Sequence, residues 1–157
     1  MNQTYPRIDK LPTWIEGFDL VAEGGLPMGR TTLVSGTAGS GKTVLAAQFL
    51  AEGITRAGES GVFITFEESA ADIRRNIASL GWDVAAWEAE NRWRFVDVSP
   101  QATDEMVVTG DYDLGALLAR IEHAIGVSGA RRISMDSIGA VFSRFQDAGR
   151  VRSELLR

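Results

Sequence analysis

Gly36, Thr37, Ala38, Gly39, Ser40, Gly41, Lys42 and Thr43 form the pattern G-x-x-x-x-G-K-[ST], which occurs once in the chain. These residue types in this order make a phosphate cradle. The glycines let the backbone curl without Cβ clashes, so successive N–H groups can point at one anion. A helix starting near Lys42 adds its positive dipole end. Lys42 then reaches the β- and γ-phosphates, and the Thr43 hydroxyl ligates a magnesium ion. The ligand this pattern asks for is ATP with Mg2+.

A P-loop enzyme holds its metal a second time, through a carboxylate that ends a neighbouring strand. Asp136, closing the run Arg131-Arg132-Ile133-Ser134-Met135-Asp136, is the candidate. The competing reading, the weaker of the two, is a carboxylate that merely caps a strand end. Hydrolysis also needs a group that orients or deprotonates water. The residue after Asp136 is Ser137, too weak a base. Glu67 and Glu68 follow an apolar run instead, at the edge where an open α/β sheet receives its ligand. Side chains alternate along a strand, so one glutamate can face the phosphate while the other braces it. Which of the two acts on water stays open, and a solvated acidic pair ahead of a helix is the competing reading.

The elements that must position these groups follow from pattern. Residues 31–35 are a short β-rich run ending at glycine, the strand that should lead into the loop. Residues 43–56 carry apolar side chains at helical spacing. Residues 61–66 and 92–98 read as strands, and 131–136 as a fourth with unusually little apolar content. Ser69 and Asp72 make a capping box for a helix that Gly81 stops. Asp83 caps a short helix through Ala89. Asp113 caps a longer one striped by Leu114, Leu117, Leu118, Ile121 and Ile125. A last helix is expected from about residue 149. Strands alternating with helices imply parallel βαβ units, an α/β fold with a mainly parallel sheet flanked by helices. The polar stretch 99–112 is long for a connection and has no assigned role.

The chain has 157 residues, enough for one domain, with 45 % hydrophobic and 24 % charged residues, as in ordinary globular proteins. It has no cysteine, which excludes disulfides and thiolate chemistry and favours a reducing, cytoplasmic setting. No apolar run suits a membrane span, and residues 1–10 do not read as a signal peptide. The net charge of −5 disfavours nucleic acid as the main partner. His123 reads as a surface residue, and Trp14, Trp82, Trp87 and Trp93 as packing. Arg74 and Arg75 read as a solvated helix face, and Arg150, Arg152 and Arg157 as a basic patch.

Several segments together resemble the KaiC family. They are Ile15-Glu16-Gly17-Phe18-Asp19, Gly24-Gly25-Leu26-Pro27-Met28-Gly29, the phosphate loop, the tandem Glu67-Glu68, Gly81-Trp82-Asp83, the Arg131-Arg132 strand, and Val151 to Arg157. The loop alone indicates only a P-loop protein; the glutamates, Gly81-Trp82-Asp83 and the paired arginines narrow it. The resemblance implies a RecA-like P-loop NTPase fold, with residues 1–30 a lead-in and 31–157 the nucleotide-binding core of a partial domain. It implies a homo-hexameric ring of the full-length protein with ATP between subunits, and slow hydrolysis with Glu67 and Glu68 at the water. It also implies docking of a KaiB-type partner gated by nucleotide state, and a Ser/Thr autokinase activity in a second domain outside this chain. RecA-like domains of this type are longer, roughly 230 residues or more, so the later strands are expected to be missing. Two other readings stay open: a DNA-handling RecA-like motor, and a nucleotide-gated oligomerisation module without hydrolysis.

Overall fold

The computed structural model describes residues 8–100, 114–144 and 149. The chain first makes a small clasp. β1 (Lys10–Leu11) pairs antiparallel with β2 (Leu26–Pro27), and one turn of helix, α1 (Phe18–Val21), lies between them. Asp19 ties this clasp together. Its carboxylate accepts from the Thr13 N–H at 2.9 Å, the Thr13 hydroxyl at 2.6 Å and the Trp14 N–H at 2.9 Å. Partial burial works against the charge on Asp19. The three donors and the nearby Arg132 outweigh it and hold its pKa below the ordinary 3.8. Trp14 is 47 % exposed, so the expectation that all four tryptophans serve packing fails there.

Residues 31–35 do not form the expected strand. They are exposed and join no sheet among the described residues, with Leu33 72 % and Val34 46 % exposed. Strand preference is chiefly a preference for a pleated, half-buried surface. These side chains have no such surface beside them, so the local preference goes unused.

After the phosphate loop comes α2 (Lys42–Glu52), which widens into a π-helical turn at Gly53–Ala57. The expected helix over 43–56 is therefore two kinds of helix joined. β3 (Gly61–Thr65), α3 (Ala70–Ala78), α4 (Val84–Ala89) and β4 (Trp93–Asp97) follow. Then come α5 (Leu114–Ser128), β5 (Arg132–Asp136) and α6 (Ile138–Arg144). Both predicted caps close as expected: Ser69 Oγ accepts from the Asp72 N–H, and the Asp83 carboxylate accepts from the Ala86 N–H. The cap expected at Asp113, the helix expected from about 149 and the basic tail fall largely or wholly outside the described residues. The helix at Ile138–Arg144 was not expected.

β3 is the central strand, paired parallel to β4 on one side and β5 on the other. The register places Thr65 level with both Asp97 and Asp136. Because the connections cross over, each face of the sheet is covered. Val62, Ile64, Phe66, Val96 and Val98 pack against Leu117 and Ile121 of α5 and Val141 of α6. Phe63 and Trp93 pack against Ala47, Leu50 and Ala51 of α2 and Ile73 and Ile77 of α3. Arg74 belongs to this second layer rather than to a solvated face. It makes a two-pronged ion pair with Glu88, at 2.6 and 2.8 Å, and lies over the Phe95 ring. Its pairing with Glu88 on α4 raises its pKa. The sequence reading missed this because the partner sits fourteen residues away on another helix.

Candidate functional site

All the candidate residues gather at the C-terminal edge of the sheet. The loop 36–41 feeds directly into α2. Gly41 adopts a left-handed conformation, φ +85°, to start the helix. A Cβ at Gly36 would lie 2.5 Å from Ser40 Oγ, so a larger residue here would force the Ser40 side chain to move. The Ser40 N–H donates to the Thr37 carbonyl at 3.2 Å, closing the turn that contains Ala38 and Gly39. Lys42 curls its ammonium back over the loop, donating to the Gly36 and Thr37 carbonyls at 2.9 and 2.8 Å.

Thr43 and Asp136 meet. The Thr43 hydroxyl donates to Asp136 Oδ2 at 2.5 Å, joining residues 93 positions apart. The Phe66 N–H donates to the Asp136 carbonyl at 2.9 Å, so the end of β3 is fixed beside the end of β5. The peptide between Asp136 and Ser137 is cis.

The tandem glutamates divide. Glu67 Oε1 accepts from the Ser137 hydroxyl at 2.7 Å, next to Asp136. Glu68 faces α3, where the Asn76 amide donates to its Oε2 at 3.4 Å, while its backbone carbonyl accepts from the Thr65 hydroxyl at 2.6 Å. Ser137 and Asn76 are residues the sequence reading did not place in the site. Ser137 is too weak to serve as the base itself, and its service to Glu67 becomes visible once β3 and β5 lie side by side.

The donor set suits the ligands the motif asks for. Thr43 and Asp136 offer two hard oxygens to one point. Mg2+ takes such oxygens, usually one or two from protein, and completes its shell with phosphate and water. Among the described residues no group of three or more His, Cys, Asp or Glu could hold a metal ion. Lys42 and the glycine loop supply the cationic and N–H side of the same cradle.

A parallel sheet covered by helices, with this loop running into a helix at its C-terminal edge, defines a RecA-like α/β P-loop ATPase domain. The chain belongs to the KaiC family: the family model described as "ATPase: KaiC" matches residues 11–157. It is 55 % identical over its full 157 residues to the circadian clock protein KaiC3 of a Synechocystis species, covering 31 % of that protein. It is 48 % identical over 156 residues to the circadian clock oscillator protein KaiC of Thermosynechococcus vestitus, and 47 % identical over 156 residues to that of Synechococcus elongatus. Each of those alignments covers 99 % of this chain and 30 % of the relative. The chain thus spans about a third of the length of these curated relatives, within their N-terminal portion. Among the described residues no helix is long and apolar enough to cross a membrane.

Proposed function

We propose that this chain binds ATP with Mg2+ at residues 36–43 and, within the ring of its full-length form, hydrolyses it slowly. The observation that carries this reading is the 2.5 Å contact between the Thr43 hydroxyl and the Asp136 carboxylate. Two oxygens that a P-loop enzyme needs on one metal ion are brought together from opposite ends of the chain.

Bound Mg2+ would supply charge neutralisation on the β- and γ-phosphate oxygens. Thr43 and Asp136 would hold the ion. Lys42, whose ammonium now lies on the Gly36 and Thr37 carbonyls, would bind the phosphates. Glu67, steered by the Ser137 hydroxyl, accepts the proton of the attacking water, and Glu68 braces the strand end against α3 through Asn76. Among the described residues Glu67 accepts a hydroxyl donor on Oε1, and its other carboxylate oxygen would serve the water. The KaiC relatives are named as clock proteins, and their likeness supports the further reading that nucleotide state gates contacts between subunits and with a KaiB-type protein. The domain reading, a lead-in at 1–30 and a nucleotide core from 31 onward, belongs to the same proposal.

The test is calorimetry of Mg-ATP binding to the purified protein, followed by a sizing column. Binding that disappears in Lys42→Ala supports the site, and a shift to a hexamer supports ring assembly. Glu67→Gln should keep nucleotide bound and abolish phosphate release, while Glu68→Gln should lower release less. A folded protein that ignores Mg-ATP overturns the reading.

A further inference from the structure

The side chains of β5 that face α2 are all polar, and each is spent on that helix. Arg132, Ser134 and Asp136 alternate along the strand, as a period of two requires. Arg132 donates to the Phe49 carbonyl at 3.2 Å, Ser134 to the Ala46 carbonyl at 2.9 Å, and Asp136 accepts from Thr43 at 2.5 Å. Their partners step along α2 by threes, in the opposite sense to the strand. The result is a three-runged polar ladder whose last rung is the metal pair.

Such a ladder specifies register in a way that apolar packing does not. Slipping α2 by one residue turns its side chains by about 100° and shifts them about 1.5 Å along the axis. That would take Thr43 off Asp136, deprive the buried Ser134 of the Ala46 carbonyl and cost Arg132 its bond to the Phe49 carbonyl. The outer rung is also anchored elsewhere. The Arg132 guanidinium is 1 % exposed, pairs with Glu59 at 2.8 Å, donates to the Pro12 carbonyl at 2.8 Å and lies over the Phe49 ring. It passes across Gly53, where a Cβ would lie 2.4 Å from Arg132 Cδ and Nε. The two neighbouring arginines thus have different surroundings: Arg131, just before β5, is exposed, and Arg132 is the anchor.

We propose that Ser134 and Arg132 are positioning residues for the metal pair, holding α2 in the one register that puts the Thr43 hydroxyl on the Asp136 carboxylate. This rests on the reading of Thr43 and Asp136 as Mg2+ ligands. The experiment compares dissociation constants for ATP in excess Mg2+ and in EDTA, with amide hydrogen exchange over residues 43–46 measured without nucleotide. The proteins are the parent, Ser134→Ala, Ser134→Thr and Arg132→Lys.

Ser134→Ala should reduce the tightening that Mg2+ gives to ATP binding by about three- to tenfold, the scale of one lost hydrogen bond. Metal-free ATP should bind as before, and exchange at 43–46 should quicken. Ser134→Thr keeps a hydroxyl and should restore both readouts. Arg132→Lys keeps the charge but loses the planar fork, and should mimic or exceed Ser134→Ala. A general loss of stability would weaken both forms of ATP equally and leave the Mg2+ ratio alone. Folded Ser134→Ala and Arg132→Lys proteins with the parent's ratio and the parent's exchange would overturn the proposal. If the parent binds no ATP, the nucleotide reading falls, while unchanged exchange in the variants would separately remove the ladder.

Discussion

On the α5 side of the sheet, Val62, Ile64, Val96 and Val98 meet Leu117, Ile121 and Val141 in a layer that is almost wholly aliphatic. On the α2 side, Phe63, Trp93, Trp87 and Phe95 stack in contact, and Arg132, Ser134 and Asp136 point inward beside them. The aliphatic layer asks only for volume, and cores of that kind accept rearranged side chains if volume is kept. The α2 side asks for directed partners, and a buried polar group left without one is costly. The proposed metal pair sits where the packing is directional, since such a pair needs a fixed geometry and the aliphatic layer does not supply one.

The largest test of this contrast is Trp93→Ala. It empties the centre of the aromatic stack and should cost about 3–5 kcal/mol in urea unfolding. Trp93→Phe should cost far less, because the buried indole N–H has no hydrogen-bond partner among the described residues. Next, Ile121→Ala on the opposite face should cost about 3 kcal/mol yet leave the ATP affinity of the folded protein unchanged. A parallel fall in affinity would show that the two faces are not separable. Gly53→Ala should cost about 2 kcal/mol by crowding the pinned Arg132, despite alanine's better helix propensity. A stabilised Gly53→Ala protein would mean that Arg132 has room to move, and the directional account of this face would weaken.

The smallest effect belongs to the clasp and appears only with pH. The pKa of Asp19 is lowered in the folded protein, so its contribution is present above the unfolded value and lost as pH falls through the folded one. The difference in Tm between the parent and Asp19→Asn should hold steady above about pH 5 and close as the pH drops below the ordinary carboxylate value. A difference that widens on acidification would reverse the assignment.

Local chemistry was legible in the sequence, and distant partnership was not. Ser69 and Asp83 could be read as caps because each bonds a backbone N–H three residues on. The strands 61–66, 92–98 and 131–136 were legible to within a residue at each end, the first two by their apolar content and the third by alternation despite its arginines. The loop's Lys42 and Thr43 were found by spacing alone. In contrast, residues 31–35 have the composition of a strand but pair with no strand among the described residues. Helix Ile138–Arg144 is short and contains Gly139, so its apolar run gave no period to count. The burial of Arg132 depends on Glu59, Phe49 and Pro12, none of them near it in sequence. The division of labour between Glu67 and Glu68 depends on Ser137, seventy residues further on.

The sequence distance between Thr43 and Asp136 also sets a timetable for synthesis. At about 5–20 residues per second, the ribosome releases the phosphate loop on the order of 5–20 s before the carboxylate that completes it. The same delay applies to Ala46 and Phe49, which wait for Ser134 and Arg132, and to Pro12, whose carbonyl lies 120 residues before its guanidinium. The first third of the nascent chain therefore emerges with its polar rungs unmade. Those rungs can close only after β5 has emerged and lies beside β3, because every one of them has its other half on that strand.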